Sequence, residues 1–357
     1  MTNNLDQIIR TLSETYDPDS DDTYVTVYFK KKSDEKFIDR RIKACRTILK
    51  KENLKNFDKT IEKIKNSIKN TREKNIAVFS SDKNNFHETI ELPVDVENQL
   101  VVDSSPYIKP LARLIDEWES FTLLIVNSNY AKFYSVDMGK IEDTKTISED
   151  IINRHKKGGQ SQARFNRIRR GAINSFLKEV SEALELMADQ RIIIAGPGIS
   201  KTKLVEMLSK PIQERIIEIV DIDTSDENKM LKNAINIIRE KEEETSNKSI
   251  ENLKAEILKN GLAVYGITDT LQAVKNGQVE LLIIEKDKKI PGWICENCQI
   301  VGKGLKEKCP NCSNNTSEVD VLEEILEFAQ RTDAEIEFTD SKEISDLGHI
   351  GAILRYK

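Results

Sequence analysis

Four of the five cysteines lie between residues 295 and 312, as Cys295-Glu-Asn-Cys298 and Cys309-Pro-Asn-Cys312 with ten residues between the pairs. Two intervening residues let one tight turn point both thiolates at a single ion. Two such knuckles complete a tetrahedron suited to zinc. Iron accepts the same ligands, although nothing in the sequence suggests electron transfer. The competing interpretation is four free thiols. With all four positions filled by Cys295, Cys298, Cys309 and Cys312, one Zn2+ would be structural, organising a lobe at residues 291–317 and offering no position to substrate. Gly292, Trp293, Gly302 and Gly304 fit a compact zinc ribbon of that kind. The isolated Cys45 is expected to be a buried small hydrophobe.

A second constellation is Gly158-Gly159-Gln160. Adjacent glycines allow backbone angles that a β-carbon forbids and permit close approach to another molecule. Alone, the pair fits any surface turn. Its setting is more specific, because Arg154, His155, Lys156, Lys157, Arg164, Arg167, Arg169 and Arg170 surround it and no acidic residue intervenes. A solvated face usually mixes signs, whereas an unmixed basic run can neutralise a nucleic-acid backbone and make association salt-dependent. A glycine tip on an all-basic stem can bring an uncharged amide into an RNA-lined cavity. Gly196-Pro197-Gly198 with Lys201-Thr202 fails the spacing of both the P-loop and the dinucleotide fingerprint and is expected to be a structural turn.

These residues need elements to position them. Tyr24–Phe29 is a β-branched and aromatic strand pattern, and apolar residues from Phe37 to Ile68 recur at helical spacing as two helices. Strands at 76–79 and near 88–92 and a helix from Pro110 to Trp118 complete a first unit, residues 1–117. The second, 118–238, begins with strands at 121–126 and 131–136 in hairpin arrangement, then a polar connection, the glycine loop, a long helix carrying Phe165 to Leu184, and further alternating strands and helices. Residues 237–257 read as a helix charged on every side, a connector with little apolar face to bury. The third unit, 239–357, holds strands at 262–265, 279–284, 334–338 and 350–356, helices at 268–276 and 319–331, and the cysteine insert. The expected architecture is α/β and α+β, three domains with mixed sheets covered by helices.

At 357 residues the chain is too long for one ordinary core. Hydrophobic residues at 38% and charged residues at 32% exclude general disorder, and no apolar run is long enough to span a bilayer. The start has no basic region followed by an apolar one, so a cytoplasmic location and a monomer acting within a larger assembly are expected. A net charge of −6 conceals the basic patch. Three histidines and no Gly-x-Ser-x-Gly elbow leave a freestanding esterase without a nucleophile and base.

The segment Gly158-Gly159-Gln160-Ser161-Gln162-Ala163-Arg164-Phe165, preceded by Lys156-Lys157, resembles the hydrolysis loop of the archaeal and eukaryotic class I peptide chain release factors, a family that includes related ribosome-rescue proteins. The resemblance continues through residues 191–198, Val220-Asp221, Leu271–Gly277 and Gly351–Tyr356, and covers residues 118 to 357. It implies ribosome-dependent hydrolysis of the peptidyl-tRNA ester in translation termination. Gly158 and Gly159 would provide the approach, the Gln160 backbone N–H would stabilise charge on the ester oxygen, and the Gln160 side chain would help order the water. No protein base is then needed, because ribosomal RNA and the tRNA ribose supply the rest. The resemblance also implies a zinc lobe in the C-terminal domain, with a translational GTPase and a ribosome-recycling ATPase as partners beside the ribosome, ribosomal RNA and peptidyl-tRNA.

The first domain departs from the family. Decoding members present Asn-Ile-Lys-Ser and Tyr-x-Cys-x-x-x-Phe, whereas this chain has Asn66-Ser67-Ile68-Lys69-Asn70 in a helical pattern and Leu100-Val101-Val102-Asp103-Ser104-Ser105-Pro106. Its helical pair from Arg40 to Asn70 is short. Stop-codon-independent ribosome rescue is therefore an alternative, and a noncatalytic ribosome-binding adaptor a further one.

Overall fold

The computed structural model describes the chain except for residues 1, 21, 31–35, 72–73, 119, 152–159, 188–190, 222–226 and 296. Packing divides it into two compact units, Met1–Glu117 with Ser246–Lys357, and Trp118–Thr245.

The N-terminal part runs α1 (Thr2–Glu14), β1 (Tyr24–Lys30), α2 (Lys36–Ile48), α3 (Lys51–Asn70), β2 (Asn75–Ser81), β3 (Phe86–Leu92), β4 (Gln99–Asp103) and α4 (Lys109–Glu117). The strands form an antiparallel sheet in the order β3-β2-β1-β4. Tyr24 to Phe29 are buried on both faces, which explains why β1 is apolar without alternation. On one face Ile38, Ile42 and Cys45 of α2 and Phe57, Ile61 and Ile64 of α3 pack onto Val25, Val27, Ile76 and Val78. Cys45 is thus a core residue, as expected. The outer faces of these helices carry pairs of mixed sign, Arg46–Asp58 at 2.7 Å and Lys65–Asp39 at 2.8 Å. Asn66 to Asn70 form the last turns of α3, and only Leu49-Lys50 separates α2 from α3. Helix α1, unanticipated from sequence, buries Ile9, Leu12 and Ser13.

The second unit contains β5 (Phe121–Val126), β6 (Tyr130–Asp137), β7 (Lys140–Ser148), α5 (Gln160–Met187), β8 (Ile192–Ala195), α6 (Ser200–Met207), α7 (Lys210–Glu214), β9 (Ile216–Val220) and the first part of α8 (Glu227–Leu258). Its mixed sheet has the order β7-β6-β5-β8-β9, with β5, β8 and β9 parallel. Alternate residues face opposite ways. Leu124, Val126, Ile192 and Ile194 meet α5 and α6, whereas Leu123, Ile125, Ile193 and Ala195 meet α8. The stretch expected to be a polar connection is the strand β7. It is an edge strand with exposed polar or charged residues on most positions, so only Ile141 and Ile147 pack and no apolar alternation marks it. Its turn with β6 places Met138 and Gly139 at φ 44° and 72°, the left-handed geometry of a two-residue hairpin. A β-carbon on Gly139 would lie 2.6 Å from the Trp118 ring.

The charged connector also needs correction, because α8 begins at Glu227 and buries apolar residues toward both ends. Met230, Ala234 and Ile238 pack in the second unit, and Ile250 and Leu253 pack in the first. Between Arg239 and Ser249 no residue is buried. The sequence expectation holds for that central stretch alone.

The C-terminal part continues with β10 (Ala263–Tyr265), α9 (Ile267–Lys275), β11 (Val279–Glu285), β12 (Pro291–Cys295), β13 (Ile300–Lys303), β14 (Ser317–Asp320), α10 (Val321–Arg331), β15 (Glu335–Thr339), α11 (Lys342–Asp346) and β16 (Ile350–Leu354). The main sheet has the order β10-β16-β11-β15, antiparallel except for β11 against β15. The cysteine insert forms a separate sheet, β13-β12-β14. Helix α10 is amphipathic but buries three acids, Glu323, Glu324 and Glu327.

Candidate functional site

Helix α5 has two unlike halves. From Ile173 onward it follows the core rule for an amphipathic helix, with Ile173, Phe176, Leu177, Val180, Ala183 and Leu184 packed against the sheet. From Ala163 to Ala172 no residue is buried, and Phe165 and Ile168 are 47% and 48% exposed. Three turns therefore extend past their hydrophobic support. At about 1.5 Å per residue this stretch spans about 15 Å.

Arg164, Arg167 and Arg170 are exposed on that stretch, and Arg169 is half-buried. Their spacing of three places the first three near one face. None of those three forms an ion pair among the described residues. Gln160 is the first residue of α5. Arg154, His155, Lys156, Lys157, Gly158 and Gly159 lie outside the described residues, as does the Gln160 side chain. The unpaired N–H groups of a helix N-terminus add positive potential to that end of α5.

The Gly-Pro-Gly turn after β8 has a structural explanation. Gly196 has φ 145°, and a β-carbon there would lie 2.0 Å from the Val126 carbonyl oxygen. Lys201 folds back so that Nζ donates to the carbonyls of Gly196 at 2.8 Å and Gly198 at 3.2 Å and pairs with Asp221. The lysine that a phosphate-binding interpretation needs is thus engaged within the turn. His87 is held between Ser67 Oγ and Ser80 Oγ, while His349 pairs with Glu285.

The four cysteines converge. All four sulfurs lie within 4.8 Å of one another, with Cys295 to Cys312 and Cys298 to Cys309 both at 3.4 Å. Four sulfurs on a tetrahedral zinc would stand about 3.8 Å apart, given bonds of about 2.3 Å. The thiols are free, and the donor set fits a metal ion. Each Cys-x-x-Cys segment closes in the same way. The Gln299 N–H donates to Cys295 O at 2.7 Å and the Ser313 N–H to Cys309 O at 3.0 Å. Gln299 and Ser313 have φ of 51° and 60°. Burial pushes the Cys295 thiol up, whereas backbone amides from Cys312 and Asn311 outweigh burial and hold Cys309 down.

Two glycines make the ribbon possible. A β-carbon on Gly302 would stand 2.6 Å from the Trp293 ring, and one on Gly292 would stand 2.1 Å from Val321 Cγ2. Trp293 covers the buried side of the cluster with Cys295 and Cys309.

Sequence reasoning missed the buried Lys109, Glu323 and Glu327 and the partly buried Asp320, charged residues gathered where α4, the base of the ribbon and α10 meet. Glu323 Oε1 accepts the Ile108 and Lys109 N–H groups at 2.7 and 3.0 Å, which caps α4 from a distant element. Its Oε2 is buried without a partner, and burial pushes its pKa up to about 8. Glu327 accepts from Ser105 Oγ at 2.9 Å and pairs with Arg331 at 3.1 Å. A helix with acids amid apolar residues gave the only sequence signal.

Two families of sequence model divide the chain where the α8 helix crosses from one unit to the other. Residues 106–239 match the Bacterial archaeo-eukaryotic release factor family 10, and residues 242–357 match eRF1 domain 3. Peptide chain release factor subunit 1 of Thermococcus sibiricus is 28% identical over 293 residues, which is 71% of this chain and 70% of the relative. The protein of the same name from Archaeoglobus fulgidus is 28% identical over 285 residues, again 71% and 70% of the two chains. Among solved structures, S. cerevisiae Dom34, described as a translation termination-like factor involved in RNA quality control pathways and interacting with Hbs1, matches at 13% identity with a TM-score of 0.45, covering 79% of each chain. The two matched regions together define a protein of the release-factor class. Both matched regions and these relatives make the chain release-factor-like, similar to the archaeal peptide chain release factor subunit 1 proteins.

Proposed function

We propose that this chain promotes hydrolysis of the peptidyl-tRNA ester on the ribosome, with Gly158, Gly159 and Gln160 carried to the ester by α5. The observation that carries this reading is the exposed first half of α5, which bears Arg164, Arg167 and Arg170 without acidic neighbours. Its arginines and helix N-terminus suit an RNA wall, and the residues that follow anchor it in the unit core. Arg154, His155, Lys156, Lys157 and Arg169 extend the same RNA-binding assignment. Gly158 and Gly159 admit the chain to a narrow site, and the Gln160 N–H stabilises developing charge on oxygen. The chain acts with the peptidyl-transferase centre rather than as a self-contained enzyme.

In this reading the four cysteines hold one structural Zn2+ in a ribbon within the C-terminal domain. Functional domains are residues 1–117 for ribosome recognition, 118–238 for hydrolysis and 239–357 for partner binding. The partners are a translational GTPase and a ribosome-recycling ATPase, in the cytoplasm. A second reading, rescue of stalled ribosomes without codon recognition, is favoured by α3. Asn66 to Asn70 lie within its helical turns, and the α2–α3 junction has no extended tip to present to a codon.

The test is peptide release on loaded ribosomes at fixed occupancy with Gly159→Ala. Release falling at least about tenfold while binding persists supports the hydrolysis reading. Undiminished release refutes it. Comparing stop with sense or empty decoding sites separates termination from rescue.

A further inference from the structure

We infer that residues 107–113 form a clip across the base of the cysteine ribbon, making retention of its metal depend on the N-terminal part of the chain. The ribbon leaves the C-terminal part at residues 287–291 and returns at Asp320. Lys109, only 6% exposed, holds both places. Its Nζ donates to the Lys288 carbonyl in the outgoing loop and pairs with Asp320 Oδ2 at 3.0 Å at the end of the returning strand. Asp320 Oδ1 meanwhile accepts the Ile290 N–H at 2.9 Å and the Leu322 N–H at 3.2 Å, so one carboxylate ties the outgoing loop to the start of α10.

Neighbours of Lys109 repeat the contact. Lys289 lies over the Tyr107 ring at 5.3 Å, and Arg113 pairs with Asp287. The clip is itself fixed by Glu323, whose carboxylate holds the Ile108 and Lys109 N–H groups. Lys109 is therefore a positioning residue for the ribbon and touches no cysteine. Separating a buried pair leaves an uncompensated charge, so the base must loosen when Lys109 is removed. Cys295 ends β12, whose Pro291 is paired with Asp320, and motion at the base reaches the thiolates through that strand.

The inference rests on the reading that the tetrad binds a metal. The test uses full-length protein, reduced and loaded with Zn2+, with metal content measured first. Zinc release to a colorimetric chelator is then followed for the unaltered protein, Lys109→Met and Asp320→Asn, with hydrogen exchange of peptides covering 291–303 measured in parallel. Release faster by about tenfold or more in both variants, with faster exchange in the ribbon, supports the clip. Equal release and equal exchange in folded variants overturn it. Absence of zinc from the unaltered protein overturns the metal reading, and the exchange comparison then decides the mechanical coupling alone. Should Lys109→Met not fold, Asp320→Asn gives the same decision, because its remaining amide oxygen can still accept the Ile290 and Leu322 N–H groups.

Discussion

Replacing Arg164, Arg167 and Arg170 together with Gln isolates the electrostatic role of α5. All three are exposed, without an ion pair among the described residues, on turns that bury nothing. Gln is nearly as good a helix former as Arg, and exposed substitutions of this kind change stability by about 0.5 kcal/mol or less each. Folding should therefore survive. If each arginine neutralises one phosphate, the plot of log affinity against log salt loses a slope of about 0.7 to 0.9 per residue, or about 2 to 3 in all. Between 50 and 200 mM salt, a roughly fourfold change, that slope corresponds to about 20- to 40-fold in affinity. The assay is ribosome binding by fluorescence anisotropy across that salt range, with thermal unfolding run on both proteins. An unchanged salt slope in a stably folded triple variant would refute the assignment of this helix face to RNA.

The buried Glu323 makes the first unit pH-sensitive. Burial raises its pKa from the ordinary carboxylate value of 4.5 to about 8, so the folded state holds a proton that the unfolded state has released, and its stabilising contribution is complete below pH 4.5 and lost as pH rises through 8. Glu323→Gln should flatten the fall in unfolding midpoint between pH 5 and 8, and a curve of unaltered steepness counts against this. Gly302→Ala should displace Trp293 and cost about 1 to 3 kcal/mol, read as loss of tryptophan fluorescence anisotropy and weaker zinc retention; wild-type values for both would count against it. Gly171→Ala meets nothing within 4 Å on the exposed stretch of α5 and should raise the stability of the second unit by about 0.5 to 1 kcal/mol, measured by denaturant titration, with destabilisation the adverse result.

Much of the architecture was legible because its signals are local. The β-branched and aromatic run of β1, the helical spacing of Phe176 to Leu184 and the paired Cys-x-x-Cys segments each carry their meaning within a few residues. Strand β7 was not legible, since an edge strand with charged faces differs from a loop only by the neighbour it pairs with. The apolar residues near the ends of α8 were masked by the charges between them. Lys109 and Glu323 were the least legible. A buried charge and a solvated one look alike until the partner, more than two hundred residues away, is brought beside it.

The exposed opening of α5 has a consequence for how that segment behaves away from any partner. Its arginines three residues apart repel one another, and Phe165 and Ile168, about half exposed, bury too little to offset that repulsion. Winding of these turns is consequently coupled to the anions around them. A polyphosphate surface would do more than attract the segment, because by screening its like charges it would also stiffen the rod and set the direction in which Gln160 is held.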